Sequence, residues 1–397
     1  MVSVIVPVFN SEAFIDACLE SILNQTYDDF ELLLMVGICN DDSLHKCIAW
    51  QRRDSRIIIV SRKDSSLGDA RNYALPMARG EFIAYVDADD RIDRNFLMEM
   101  VVPLEKNDKL DFSCCGFYWS QLNGTKTEKL PKKAGLCHVN FKTYFDLDIQ
   151  VTVWCKVYRK KFLLNNKLTM FDGLCEDVSF SYMIASRAKN IYINKKALYL
   201  YTIDNRESLY NSRRYDAGLD YVSSLRFAIY YMEANHVYEK NRDTLKLKIC
   251  SALQSYLSFF NFDSQMVLKY KTFVKEYFPE LIPIMIWTPR KIKKGTYIMF
   301  GSGIDAMRII KQKPVDISIS YIVDSDTTVV GKTLAGIEIF GKEKLKTEDF
   351  NCPILISSRK YRFEIKKILN DLGFDNLWYI EDVLTKEQLS NHFDKVS

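Results

Sequence analysis

The first ninety residues alternate short, near-continuously apolar runs with stretches of helical period, and that rhythm leaves few architectures open. Val2–Val8 and Phe30–Val36 read as buried parallel strands, and residues 57–60 and 82–86 repeat the pattern. Between them, Phe14, Ile15, Cys18, Leu19, Ile22 and Leu23 fall on one helical face, with Asn10 and Ser11 ahead of it as capping residues. Asn40-Asp41-Asp42-Ser43 opens a second helix whose inner positions are Leu44, Cys47 and Ile48. Residues 69–78 predict a third, closed by Arg79-Gly80, where Gly80 suits a left-handed C-terminal position. A β-α-β-α-β-α-β order of this kind predicts a parallel sheet with helices on both faces.

The rest of the chain is less uniform. Residues 112–201 alternate apolar runs with polar turns and show no clear period. Residues 215–278 read as helical and heavily aromatic, with Tyr221, Phe227, Tyr230, Tyr231, Tyr256, Phe259, Phe260 and Phe262. Pro279, Pro283 and Pro289 interrupt this region, and residues 289–295 read as a linker. A second α/β unit follows. It has a strand at 297–300, a Gly301-Ser302-Gly303 turn, a helix at 304–310, a strand at 317–323 ending in Asp324, a strand at 354–356 and a helix at 361–372. With 397 residues, two or three domains are expected. The division is 1–210, 211–293 and 294–397.

The chemistry concentrates where the fourth strand ends, at Glu81-Phe82-Ile83-Ala84-Tyr85-Val86-Asp87-Ala88-Asp89-Asp90. Strand ends at the carboxyl edge of an α/β sheet are where ligands bind. Carboxylates this close repel one another unless a cation stands between them, and oxygen donors suit Mg²⁺ or Mn²⁺ bridging a diphosphate. The competing reading is a loop whose Asp90 or Asp93 caps a helix over 96–102. A net charge of +4 is too mild to point to nucleic acid. The ten cysteines contain no Cys-x-x-Cys pair and lie mostly within apolar runs, as reduced thiols of a cytoplasmic protein would. The four histidines show no metal-ligand spacing. Met1 leads directly into the first strand without a basic leader, so no signal peptide is expected, and no apolar run approaches the ~20 residues of a spanning helix.

Residues 1–210 resemble the family 2 glycosyltransferases of the GT-A fold, the inverting enzymes of bacterial polysaccharide synthesis. The resemblance rests on blocks in order: Ser3-Val4-Ile5-Val6-Pro7-Val8-Phe9-Asn10, Cys18-Leu19-Glu20-Ser21-Ile22-Leu23-Asn24-Gln25-Thr26-Tyr27, Leu67-Gly68-Asp69-Ala70-Arg71-Asn72, Gly80 through Asp90, Val153-Trp154-Cys155-Lys156-Val157-Tyr158, and Glu176-Asp177. It implies a GT-A domain with a Rossmann-like, mainly parallel sheet, followed by the helical middle region and a second, small Rossmann-like α/β domain. It also implies a nucleoside diphosphate sugar as donor and a glycan or lipid-linked glycan as acceptor. Asp89 is then the direct ligand of Mn²⁺ or Mg²⁺, with Asp87 toward ribose and metal-bound water. Arg71 faces the nucleotide, with a surface or ion-paired arginine as the alternative. Pro7, Phe9 and Asn10 shape the loop around the base; plain turn chemistry is the alternative for all three and the preferred reading for Pro7. Asp177 is the base that takes the acceptor proton, and Glu176 touches the acceptor or orients that base. Both acids also suit a helix start on electrostatic grounds, with a helix expected over 178–185. Trp154 offers a flat face to a sugar ring or, equally, a core aromatic.

Three departures from the family pattern stand out. Gly37, in Val36-Gly37-Ile38-Cys39, occupies the position where the family carries the Asp that reads uracil. Either backbone groups or Asp41 read the base, or the donor is not a uridine nucleotide, or the protein is a catalytically silent sugar-nucleotide-binding or assembly subunit. Asp64-Ser65-Ser66-Leu67 replaces the usual Asn and Gly ahead of the Leu, and Cys155 stands where Asn is common. In the tail, Gly301, Gly303 and Asp324 begin a dinucleotide fingerprint without its third glycine, Met307 standing near that place. The tail resembles Rossmann-like domains of sugar-nucleotide-modifying and acyl-transferring polysaccharide enzymes, which implies a nucleotide pocket at this turn; a packing or oligomer-forming domain is the alternative. An NAD-linked redox tail lacks a Tyr-Lys or His dyad. The aromatic helices are read as closing the acceptor side or as facing a membrane surface, which would place the protein peripherally at the inner face of the membrane.

Overall fold

The computed structural model describes residues 1–203, 205, 214–260, 263–282, 293–313, 317–358 and 361–379. The chain divides into two compact units, Met1–Arg242 and Asp243–Ser397. The expected boundary at 210/211, residues 289–292 of the expected linker, Phe262, Pro283 and Pro289 lie outside the described residues.

The first unit carries β1 (Val2–Val8), α1 (Ile15–Leu23), β2 (Phe30–Val36), α2 (Ser43–Gln51), β3 (Ile57–Ser61), α3 (Leu67–Met77) and β4 (Phe82–Tyr85). These follow the predicted alternation to within a few residues. Next come β5 (Arg91–Ile92), α4 (Phe96–Lys106), β6 (Phe112–Ser120), β7 (Lys126–Lys129), β8 (Gly135–His138), α5 (Phe141–Asp146), β9 (Lys156–Arg159), α6 (Lys160–Asn165), α7 (Glu176–Arg187), β10 (Asn190–Thr202) and α8 (Arg214–Ala234). One sheet runs β3-β2-β1-β4-β9-β6-β10-β5, with β7 on β6 and β8 on β10. The strands from β3 to β4 are mutually parallel. β9 runs antiparallel to both β4 and β6, and β10 returns parallel to β6. The fold is thus α/β with a mainly parallel first half, as the resemblance implied.

Every residue of β1 and β2 is buried, which is why both read as continuous apolar runs. Two polar exceptions are satisfied by each other. Ser3 Oγ donates to Glu31 Oε1 at 2.6 Å, and Arg79 Nε donates to Glu31 Oε2 at 2.6 Å. Gly80 is not left-handed, contrary to the expectation from helix capping. It is required because the chain passes against β1, where a Cβ would stand 2.5 Å from Ser3 N. Helix α1 begins at Ile15 with Phe14 as its N-cap and no side-chain cap, so Asn10 and Ser11 do not play the expected capping role. Helix α4 likewise lacks a side-chain cap from Asp90 or Asp93; Asn95 stands at its N-cap.

Helix α9 (Tyr238–Phe259) spans the division between the units, and α10 (Ser264–Tyr277) follows in the second. Then come β11 (Gly295–Phe300), α11 (Ile304–Gln312), β12 (Ile317–Asp324), β13 (Thr333–Leu334), β14 (Ile337–Gly341), β15 (Ile354–Ile356), α12 (Arg362–Asp371) and β16 (Leu377–Tyr379). Their sheet runs β13-β14-β12-β11-β15-β16, parallel except for the β13–β14 pair. Its two faces bury separate clusters, one around Met299, Ile309 and Ile322, the other around Phe300, Ile354 and Leu369. No described helix is long and apolar enough to cross a membrane.

Candidate functional site

The site is assembled at the carboxyl ends of β1, β2 and β4. β4 leaves the ladder at Tyr85, and Val86 N still donates to Ile5 O at 3.1 Å. The next residues form a tight turn closed by Asp90 N donating to Asp87 O at 3.0 Å. Asp90 is fully buried: Oδ2 accepts from Tyr199 Oη at 2.8 Å and Oδ1 from Thr202 N at 2.8 Å. Tyr199 Oη also accepts from Asp87 N at 3.1 Å. Asp90 is therefore the anchor of the turn, and burial, then Asp89 and Asp87, hold its pKa far above the usual carboxylate range. Asp89 Oδ2 accepts from Asn205 Nδ2 at 2.8 Å, and burial followed by Asp87 raises its pKa. Tyr199, Thr202 and Asn205 were not singled out from the sequence, because they lie on or after a strand without a clear period.

Asp87, 23% exposed at its side chain, accepts from Arg71 Nη2 at 2.6 Å. Arg71 Nη1 donates to Glu176 Oε1 at 2.5 Å. This guanidinium is 1% exposed, so it bridges two carboxylates inside the protein and does not face a nucleotide as expected. Burial opposes its charge, yet Asp87 and Glu176 outweigh that and raise its pKa. Its Nε is buried without a hydrogen-bond partner.

Glu176 and Asp177 open α7, where the helix dipole favours negative charge. Cys175, the N-cap, is left-handed at φ 65° and gives no side-chain cap. Asp177 is partly buried and forms no ion pair with a described residue. Its pKa is pushed up to about 7 by burial and then by Glu176, with Arg71 opposing and Asp87 reinforcing. The structure thus brings Asp87, Glu176 and Arg71 into one bonded group, with Asp177 next in chain to Glu176 and Asp89 next but one to Asp87.

The loops after β1 and β2 form the neighbouring wall. Gly37 N donates to Val8 O at 2.9 Å, and Asn40 N donates to Asn10 Oδ1 at 2.8 Å. Asn10 is left-handed at φ 47° and exposed; Phe9 is 45% exposed. A Cβ on Gly37 would meet the Phe9 ring at 3.3 Å. Asp41 is occupied locally: Oδ2 accepts from Glu12 N and Oδ1 from Ser43 N and Oγ. These bonds hold its carboxylate within the loop and the start of α2. Pro7 is inside β1, buried and paired with Met35, and not in the loop; its missing N–H is tolerated because β4 has already ended. Trp154 is 8% exposed and stacks on Tyr199 and Tyr201 at 4.7 and 5.1 Å, with Phe117 at 5.1 Å. It is a packing residue and offers no free face to a sugar.

Among the described residues no group of three or more His, Cys, Asp or Glu side chains is placed to hold a metal by itself. The carboxylates of Asp87 and Asp89 nevertheless fit a hard divalent cation, since both are acidic oxygen donors two residues apart in one turn, and a diphosphate could complete the oxygen shell. In the tail, Asp324 Oδ2 accepts from Ser302 N and Oγ at 2.7 and 2.6 Å, and Oδ1 accepts from Asp326 N. Gly301 is left-handed at φ 104° and packs against Ser357 Oγ, whereas a Cβ on Gly303 would meet nothing within 4 Å. Asp324 ties the turn to its own strand.

Residues 3–165 match Glycosyl transferase family 2, and residues 293–377 match the family C2185-like, N-terminal. An uncharacterised glycosyltransferase of Bacillus subtilis, EpsJ, is 29% identical over 222 residues, 53% of this chain and 62% of that protein. The poly(ribitol-phosphate) beta-glucosyltransferase of Bacillus spizizenii is 25% identical over 68% of this chain and 42% of its own length. The chain thus spans less than two thirds of either relative. A crystal structure of Staphylococcus aureus TarS 1-349 in complex with UDP-GlcNAc is similar in fold, with a TM-score of 0.58, 22% identity, and coverage of 70% of this chain and 81% of that one. The part of this chain that is similar to glycosyl transferase family 2, residues 3–165, carries Arg71, Asp87 and Asp89.

Proposed function

We propose that the protein transfers a sugar from a nucleoside diphosphate donor to a hydroxyl of a growing glycan, with inversion at the anomeric carbon. The observation that carries this reading is the single guanidinium of Arg71 bonded to both Asp87 and Glu176, which ties the acidic end of β4 to the start of α7. That bridge supports a donor-side acid and an acceptor-side acid acting on one bound substrate pair.

Asp89 and Asp87 would hold Mn²⁺ or Mg²⁺, whose chemistry is to neutralise the departing diphosphate. Asp177 takes the proton of the acceptor hydroxyl as its oxygen bonds to the anomeric carbon; the bond to the diphosphate breaks and its electron pair leaves with the nucleoside diphosphate. A pKa near 7 suits this role, because the carboxylate is then a stronger base than a solvated one while still available at neutral pH. Exposed Phe9 and the Gly37 backbone would lie against the base, with no side-chain acceptor at position 37. The poly(ribitol-phosphate) beta-glucosyltransferase supports a polymeric acceptor by its name.

The test is nucleoside diphosphate release from a panel of donors in the presence of Mn²⁺. Asp177→Asn should lower turnover by about 10²–10⁴-fold while donor binding persists, and Asp89→Ala should lose donor binding itself. Wild-type turnover that survives Asp177→Asn would remove the base. Gly37 supports a second reading, a subunit that binds sugar nucleotide without transferring it; calorimetric donor binding with no release, whatever acceptor is offered, would favour it.

A further inference from the structure

The segment that delivers Asp177 has little to hold it in place by itself. α7 starts from a left-handed Cys175 with no side-chain cap, and the run from Met170 to Cys175 belongs to no helix or strand. It is held from outside. On one side α8 receives it: Leu174 N donates to Asp220 Oδ2 at 3.1 Å, and Cys175 O accepts from Ser224 Oγ at 2.6 Å.

The other side is one face of α3 and its cap. Asn72 Nδ2 donates to Met170 O at 2.8 Å while its Oδ1 accepts from Met170 N at 2.7 Å. A two-way pairing of side-chain amide with backbone fixes register as well as proximity. Four residues earlier on the same face, Gly68 lies so close that a Cβ would stand 2.2 Å from Phe171 O. Ser65 and Ser66 both donate to Asp172 Oδ1 at 2.7 Å. Arg71 completes the row on Glu176, and its second nitrogen reaches Asp87. A planar fork sets the spacing of two carboxylates in a way that a lysine ammonium cannot.

We propose that this face of α3 is a clamp that positions Asp177, with Asn72, Gly68 and Arg71 setting where its carboxylate stands relative to the Asp87 end of the site. These are positioning residues: each bonds to or packs against the run from Met170 to Glu176. The proposal rests on Asp177 being the base, so its experiment has one arm that needs no turnover. In that arm, hydrogen exchange of Asn72→Ala is compared with wild type. Amides of residues 171–179 should exchange about tenfold faster, with protection in β1 and β2 unchanged. In the kinetic arm, Asn72→Ala should lower kcat about 10²-fold, the loss expected of a misplacement near 1 Å, with donor KM within about threefold of wild type. Adding Asn72→Ala to Asp177→Asn should cost nothing more, because the asparagine acts through the base. Unchanged protection at 171–179 would overturn the clamp. So would a raised donor KM with kcat intact, or losses that multiply in the double variant. If no donor is turned over by wild type, the base assignment falls and the exchange arm still decides whether α3 holds this segment.

Discussion

At the residue scale the unusual group is Asp177, a carboxylate in a partly buried site beside Glu176 and without an ion-pair partner among the described residues. Its folded pKa, about 7, lies above the ordinary 3.8, so the folded state holds a proton over a range where the unfolded chain has released it. Stability from this group is complete below pH 4 and is lost as pH rises through 7. Asn mimics the protonated acid at every pH. Asp177→Asn should therefore melt with wild type near pH 4 and above it at pH 8, as read by thermal unfolding at both pH values; a lower melting point at pH 8 would contradict the raised pKa. The rate should move the other way, rising with pH on a limb centred near 7, because only the carboxylate accepts a proton. Asp87 and Asp89 were marked in the sequence by an apolar strand that ends in acids, and Glu176 and Asp177 by the resemblance of their block to a family pattern. What Arg71 does was not. The chain around it marks the residue, but only the folded molecule has Glu176, 105 positions away, against it. Trp154 stayed undecided between sugar platform and core aromatic for the same reason: its stacking partners, Tyr199 and Tyr201, come from a distant strand. Cys155 shows the converse. It is left-handed at φ 53°, a conformation Asn tolerates better than most residues, so the departure from Asn falls where backbone geometry matters.

At the scale of elements, legibility followed burial. β1, β2 and β4 are covered on both faces, so their residues had to be apolar without interruption and their limits could be read closely. β10 could not be read this way. Its pairing with β6 shifts register between Asn194 and Ala197 and again between Ala197 and Tyr199, which breaks any period of two. Yet β10 supplies Tyr199 and Thr202, which hold the acidic turn. Element contacts also explain a glycine that helix rules misassigned. Gly80 lets the chain leave α3 and run against β1, and the obstacle to a side chain is backbone, not a movable group. Gly80→Ala should lower unfolding stability by about 1–3 kcal/mol, the cost of overpacking a rigid site. A denaturant midpoint equal to wild type would mean that β1 and α3 can separate without penalty.

At the scale of the whole molecule, two α/β units each present a strand-turn-helix where a nucleotide could bind, and their chemistry differs. In the first, Asp87 is 23% exposed, and burial and then the neighbouring acids make it costly for Asp89 and Asp90 to hold negative charge, a cost that a divalent cation would relieve. In the second, Asp324 is already satisfied by Ser302 and Asp326, and the turn gains nothing comparable by taking up a ligand. Mass action then predicts where binding is felt. Mn²⁺ with a nucleoside diphosphate at about 100 times Kd should stabilise the unit it binds by about 2.7 kcal/mol. Hydrogen exchange should localise that protection to residues 85–90 and the loops after β1 and β2, and should leave residues 300–304 unchanged. Chelating the metal should reverse the protection, and Asp89→Ala should prevent it. Protection at 300–304 that survives Asp89→Ala would instead identify the Gly301–Gly303 turn as a second nucleotide pocket, and Asp324 would then have to release Ser302 to make room.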